Sequence, residues 1–249
     1  DTQVAAVVGT ITMDGLTSKG SAYADPNNVS AKTLAINGLS EGDDVNLYVY
    51  PSQQADVTVS WTDGTGTKNT NQQTLEANRV SVIDLGSVPK SATGLTISAT
   101  EPVTAAAKVT NDGDGDQADF ALVNASVPMN VSAIAVPDHA TAQVSVTNTS
   151  DDDRTATLTS YNGDGDIVEQ SDLTIRAGAS TTIELADIND GDVAAVSLAD
   201  PDQSMVWNIR VSQKDVSDAK LAGVSIIGAT DLKEAREQVW SNQNMTIVR

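Results

Sequence analysis

The chain has 249 residues, with 34 acidic against 14 basic side chains, a formal net charge of −20, no cysteine and a single histidine. This length supports a substantial core, and two domains of roughly 100–150 residues are a better expectation than one. The charge repels phosphate backbones and anionic headgroups, which disfavours nucleic-acid and peripheral-membrane roles, and the lack of cysteine removes disulfides, thiolate metal sites and cysteine nucleophiles.

Taken in chain order, the segments read as strands. A strand is expected over Gln3–Met13, within an N-terminal extension of residues 1–43. Next comes Val45-Asn-Leu-Tyr-Val-Tyr50, where Val45, Leu47 and Val49 share one face and Asn46, Tyr48 and Tyr50 the other. Val57-Thr-Val-Ser-Trp61 and Val80-Ser-Val-Ile-Asp-Leu85 follow, separated by the turn-forming Asp63-Gly-Thr-Gly66. Beyond them lie Ala118-Asp-Phe-Ala-Leu-Val123, Gln143-Val-Ser-Val-Thr147, Thr155-Ala-Thr-Leu-Thr159 and Met205-Val-Trp-Asn-Ile-Arg-Val211. All are rich in Val, Thr and Ile with a period of two, and Gly, Asn, Asp and Pro clusters break them at short intervals, the signature of antiparallel sandwiches. Trp61, Phe120 and Trp207 are expected to fill cores. The one expected helix is late, over Asp231–Trp240, with Thr230 or Asp231 as N-cap and Trp240 packing it down.

The segment Thr74–Leu85 laid on Thr174–Leu185 brings Thr74, Ala77, Ile83 and Leu85 onto identical residues, and Glu101-Pro102 onto Asp200-Pro201 one residue out of step. Two copies of a unit of about 100 residues follow from this self-similarity. The expected fold is therefore all-β: two tandem Ig-like antiparallel β-sandwich units, residues 1–130 with the N-terminal extension and 131–249 with the short C-terminal helix. A boundary near Pro128–Ala133 separates them.

Candidate chemistry is sparse. Asn111-Asp-Gly-Asp-Gly-Asp116 and Asn162-Gly-Asp-Gly-Asp166 have the acidic alternation of calcium loops, but an EF-hand loop started at Asp112 meets Gln117 and Val123 where Gly and Glu are needed. Hairpin turn chemistry is the ordinary explanation; a calcium site at Asp112, Asp114 and Asp116 is the alternative. His139, the only imidazole, is expected to be solvated in a turn, and no Gly-x-Ser-x-Gly marks a nucleophile. A carboxylate pair for glycoside hydrolysis stays open among 34 acids, against the scarcity of sugar-stacking rings, three Trp, four Tyr and one Phe. Phosphate-cradling motifs are absent, and triplets such as Asn148-Thr-Ser150 fit an N-glycosylation sequon at a frequency chance supplies. Tyr48 and Tyr50 are the exception. If the aliphatic face of their strand is buried, two rings stand side by side on the outer face, suited to a sugar or a protein partner, unless the N-terminal segment covers them.

Glu101-Pro-Val-Thr-Ala-Ala-Ala-Lys-Val109, followed by Ala118-Asp-Phe-Ala-Leu-Val-Asn-Ala-Ser-Val-Pro128, resembles a recurring element of an actinobacterial family of secreted or envelope-anchored proteins. That family carries a domain of unknown function, usually in tandem β-sandwich units, and Leu173–Leu185 with Asp200-Pro201 is similar to the same pattern. The resemblance implies an extracytoplasmic location and a role beside membrane glycosyltransferases in building the cell envelope; it implies no catalytic residues.

The expected function is thus a non-enzymatic extracytoplasmic scaffold or binding protein of the cell envelope, without cofactor or metal, partnering an envelope protein or cell-wall glycan. An adhesive or carbohydrate-binding module using Tyr48 and Tyr50 is the alternative, and a carboxylate-based glycoside hydrolase the third. No apolar stretch reaches the roughly 20 residues of a membrane helix. Because the chain begins at Asp1 without an initiator methionine, it is expected to be a processed or trimmed product whose signal peptide or anchor lies outside it.

Overall fold

The computed structural model of the chain describes residues 8–14, 17–24, 29–40, 43–62, 67–87, 92–112, 118–137, 140–185, 193–213 and 224–232. These residues form an all-β protein of antiparallel sheets. An N-terminal hairpin of β1 (Val8–Asp14) and β2 (Thr17–Ala24) stands as its own two-stranded sheet, so the first part of the extension pairs with itself, while residues 31–37 of the same extension enter the larger sheet. β2 runs alongside β9.

The next seven strands are β3 (Ala31–Asn37), β4 (Asp43–Pro51), β5 (Ala55–Thr62), β6 (Lys68–Leu75), β7 (Ser81–Ser87), β8 (Gly94–Asp112) and β9 (Ala118–Asn124). β8 is 19 residues long and serves two layers. Its first part pairs with β3 and β5, and its second with β4 and β9. The layers β6-β5-β8-β3 and β7-β4-β8-β9 therefore share one strand and enclose one core, in which Leu34, Leu47, Val59, Ile83, Ile97 and Val123 are buried. Alternation is the cause: in β4 the burial follows the period-two apolar pattern residue by residue from Val45 to Val49.

The remaining strands are β10 (Val131–Ala135), β11 (Ala140–Asn148), β12 (Arg154–Tyr161), β13 (Ile167–Ile175), β14 (Ser180–Glu184), β15 (Ala195–Ala199), β16 (Met205–Gln213), β17 (Val224–Gly228) and β18 (Thr230–Asp231). They build the sheets β13-β12-β15-β10-β18 and β14-β11-β16-β17 around a second core centred on Trp207. The pairings run parallel to the first set. β11 lies between β14 and β16 as β4 lies between β7 and β8, β12 pairs with β13 and β15 as β5 pairs with β6 and β8, and β17 flanks β16 as β9 flanks β8.

One local difference separates the two sets. In the C-terminal half the counterpart of β8 is broken into β15 and β16 by a turn over residues 200–204. The buried Asp200 carboxylate accepts hydrogen bonds from the amides of Ser204 and Met205, both at 2.6 Å, and Gln203 takes a positive φ of 50°. A short Asp side chain reaches the amides of its own turn. In β8 the registers set Ala99, not Glu101, where Asp200 stands, so no carboxylate is there to close a turn, and the strand continues through Glu101, which pairs with Lys32 at 3.8 Å on the surface.

The halves meet through a polar junction. Ser145, Thr147, Val206 and Asn208 point away from the second core, yet all are buried, because the end of β3 and the turn after it lie over them. Asn37 donates to the Val206 carbonyl at 2.9 Å and accepts from Thr147. Arg210 donates to the Gly38 carbonyl at 2.8 Å and forms a bidentate pair with the fully buried Asp43, at 2.6 and 3.1 Å. Ile226 of β17 crosses into the first core. The expected late helix over Asp231–Trp240 lies almost wholly outside the described residues: Asp231 is the last strand residue, Leu232 is helical, and residues 233–240 are not among those described.

Candidate functional site

The outer face of the layer β7-β4-β8-β9 carries the two tyrosines. Val45, Leu47 and Val49 are buried completely, so strand parity sends Tyr48 and Tyr50 outward, 39% and 41% exposed. The register of β4 against β7 then sets Val82, 54% exposed, directly opposite Tyr48, with Val80, 58% exposed, two positions before it. On the other side Tyr48 faces Ala106 and Tyr50 faces Thr104 of β8. Of the eight large apolar side chains exposed among the described residues, four thus converge on this one face.

The ring of Tyr50 is held in place. Its hydroxyl donates to Asn78 Oδ1 at 3.2 Å, and the Asn78 amide donates to the Pro51 carbonyl at 2.8 Å. Asn78 sits at φ 58°, a left-handed conformation that asparagine tolerates better than most residues. The turn between β6 and β7 therefore anchors the strand end and one tyrosine together. The face joins rigid aromatic area to flanking aliphatic groups on a regular sheet, which fits it for stacking or protein contact.

The other sequence candidates fall elsewhere. In residues 162–166 the Asn162 side-chain oxygen accepts from the amides of Asp164 and Asp166 at 3.1 and 2.9 Å, and Gly165 takes φ 86°, which makes this a self-closed turn with its acids in solvent. Asp114, Asp116 and His139 lie outside the described residues, and Asp112 is described only as a backbone partner of Ala118. Among the described residues no group of three or more His, Cys, Asp or Glu side chains is placed to hold a metal ion. Trp207 fills the second core and donates to Ser132 Oγ at 2.6 Å. Trp61 is only partly buried against the first core. Phe120 pairs with Thr110 along the backbone. Asn148 is fully buried and donates to the carbonyls of Asp152, Ile175 and Arg176, so its side chain ties two turns together and is closed to glycosylation.

Sequence reasoning placed the tyrosines but missed their aliphatic neighbours. Val80 and Val82 show the strand pattern locally, and only the pairing of β7 with β4 brings them to the same face.

The fold and face define an all-β, sandwich-like protein with an exposed aromatic surface. The chain belongs to a family of unknown function, DUF5719, whose model matches residues 1–186. No curated protein matches it. Among solved structures it is similar to the PBSX exported protein XepA, at 12% identity with a TM-score of 0.27 over 81% of this chain and 84% of that one. It is also similar to a "putative secreted protein" from Parabacteroides distasonis, at 13% identity with a TM-score of 0.19 over 88% of this chain and 85% of that one. No helix among the described residues is long and apolar enough to cross a membrane.

Proposed function

We propose that this protein is a non-enzymatic, extracytoplasmic binding or scaffold protein of the cell envelope, built from two tandem sandwich units, and that it engages its partner through the face around Tyr48 and Tyr50. The observation that carries this reading is the convergence of Tyr48, Tyr50, Val80 and Val82 on one side of one sheet. Scattered single apolar residues are ordinary on a soluble surface, whereas a contiguous aromatic and aliphatic patch on a rigid sheet is characteristic of an interaction site. The acidic polar groups nearest to chemistry support the same view: the buried Asp43 and Asp200 are spent on the junction and on a turn. An envelope protein such as a membrane glycosyltransferase is the partner type that the family resemblance implies.

A glycan ligand is the second reading, favoured by the spacing of the tyrosines. Rings two residues apart on one strand are separated by about 7 Å, enough for both to lie against one extended saccharide. Capture from detergent-solubilised envelope and titration with cell-wall oligosaccharides, each performed with the native chain and with Tyr48→Ala/Tyr50→Ala, separate these readings. The variant is expected to lose at least about tenfold in affinity, roughly 1.4 kcal/mol, for one ligand class. Equal binding of both classes by the native chain and the variant removes the face from consideration.

A further inference from the structure

The junction between the halves uses the same face that stands open in the N-terminal half. The registers make the correspondence explicit. β4 pairs Val45 with Val109, Leu47 with Ala107 and Val49 with Ala105; β11 pairs Ala142 with Val211, Val144 with Ile209 and Val146 with Trp207. Tyr48 therefore corresponds to Ser145, Tyr50 to Thr147, Thr104 to Val206 and Ala106 to Asn208. In the C-terminal half these positions are sealed, Ser145 at 0% and Thr147 at 1% exposure, beneath the end of β3 and Asn37, Gly38 and Leu39. In the N-terminal half nothing among the described residues seals them.

The covering element has an open counterpart as well. β10 pairs with β15 as β3 pairs with β8, which sets Ala135, Val136 and Pro137 in the places of Asn37, Gly38 and Leu39. Asn37, Gly38 and Leu39 are enclosed at the junction, while Ala135 and Pro137 are exposed. One end of the molecule thus presents an uncovered face, and another region presents an uncovered edge of the kind that covers that face internally. Their chemistries also change together. Inside, polar Asn37 meets the hydroxyl of Thr147; at the open sites, Ala135 and Pro137 would meet the ring of Tyr50.

We infer that a second copy of this chain docks head to tail on the Tyr48 and Tyr50 face, inserting the Ala135–Pro137 edge as residues 37–39 are inserted at the internal junction. This deepens the binding-surface reading and rests on it, since it names the partner of that face. The contact is heterologous, with two different patches meeting, so it propagates into open chains or closes as a ring rather than stopping at a symmetric dimer. Each copy carries a net charge of −20, so association is opposed at low ionic strength and strengthens as salt shortens the screening length.

Sedimentation equilibrium tests this at about 0.15 M and about 0.5 M sodium chloride, where the screening length falls from about 8 Å to roughly half that, with protein up to about 0.5 mM to reach weak contacts. The native chain is expected to self-associate, more strongly at the higher salt. Tyr50→Asp, which spoils the face, and Pro137→Arg, which spoils the edge, each remain folded and monomeric, the first giving up only the exposed hydrogen bond of Tyr50 to Asn78. Mixed together, the two variants form a one-to-one dimer and nothing larger, because each retains the patch the other lacks. A native chain that stays monomeric under both conditions overturns the inference, as does self-association that survives either substitution or a mixture that fails to pair. If the native chain stays monomeric while envelope or glycan binding still falls in the Tyr48→Ala/Tyr50→Ala variant, this inference fails and the binding-surface reading stands.

Discussion

Gly94 occupies a point where no side chain fits. A Cβ there would collide with Thr147 Oγ1 and Asn37 Oδ1, and would approach Ser180 Oγ to 2.9 Å. The reason is the close passage of two backbones: Gly94 pairs with Asn37 at the end of β3, and the hydroxyls of β11 and β14 press on that pair from the other half. A glycine inside a strand pattern commonly marks such an approach. Gly94→Ala is expected to destabilise the protein by about 1–3 kcal/mol, the usual range for overpacking. Gly163, with open space around its Cβ position, is the matched control, and Gly163→Ala should stay within about 0.5 kcal/mol. Thermal melts of the two variants side by side decide this: equal midpoints would mean that the junction yields to an added methyl group.

At the level of elements, the turn that separates β15 from β16 rests on one buried carboxylate, that of Asp200. Asp200→Ala leaves the Ser204 and Met205 amides without their acceptor in a buried turn, at a cost of about 1–3 kcal/mol for an unsatisfied buried donor. Glu101→Ala, within the unbroken β8, removes only an exposed pair and should cost less than about 1 kcal/mol. Urea midpoints measure both, and a Glu101→Ala loss as large as that of Asp200→Ala would contradict the account. Local pattern reading found most of the strands because burial follows alternation; Val57 and Val59, and Met205, Trp207, Ile209 and Val211, are buried where their period predicts, whereas Val206 and Asn208 are buried against it by the junction. It did not find that β8 runs through Glu101-Pro102, since proline usually ends a strand and its continuation depends on partners on different strands before and after it. It missed β2, whose small and polar residues lack a branched alternating pattern. Tyr48 and Tyr50 were legible because facing is a local property of a strand. Their patch was not, because Val82 comes from 34 positions beyond Tyr48 and meets it through register alone.

The behaviour of the whole molecule turns on the junction, which no local pattern announces: Asp43 and Arg210 are 167 positions apart and read as ordinary polar residues. Each half has its own core, so each has the means to fold, while the surface between them is costly to assemble. Thr93 Oγ1, Ser145 Oγ and both side-chain amide atoms of Asn208 are buried there without hydrogen-bond partners, and such groups cost about 1–3 kcal/mol each. The Arg210–Asp43 pair and its link to the Gly38 carbonyl offset part of this, as does the burial of Ile226 in the neighbouring core. Removing one member of a buried pair leaves the other charge uncompensated, at a cost of about 3 kcal/mol. Asp43→Ala should therefore strip the junction of its main polar contact while leaving both cores intact. In differential scanning calorimetry the native chain is expected to unfold in one transition, with the halves coupled through the junction, and Asp43→Ala to separate it into two. The lower transition should belong to the half that loses more by separation, and the calorimetric to van't Hoff enthalpy ratio for the whole scan should rise above one. A single transition moved to lower temperature, with that ratio still at one, would show that neither half is stable by itself and that the two cores form one cooperative unit.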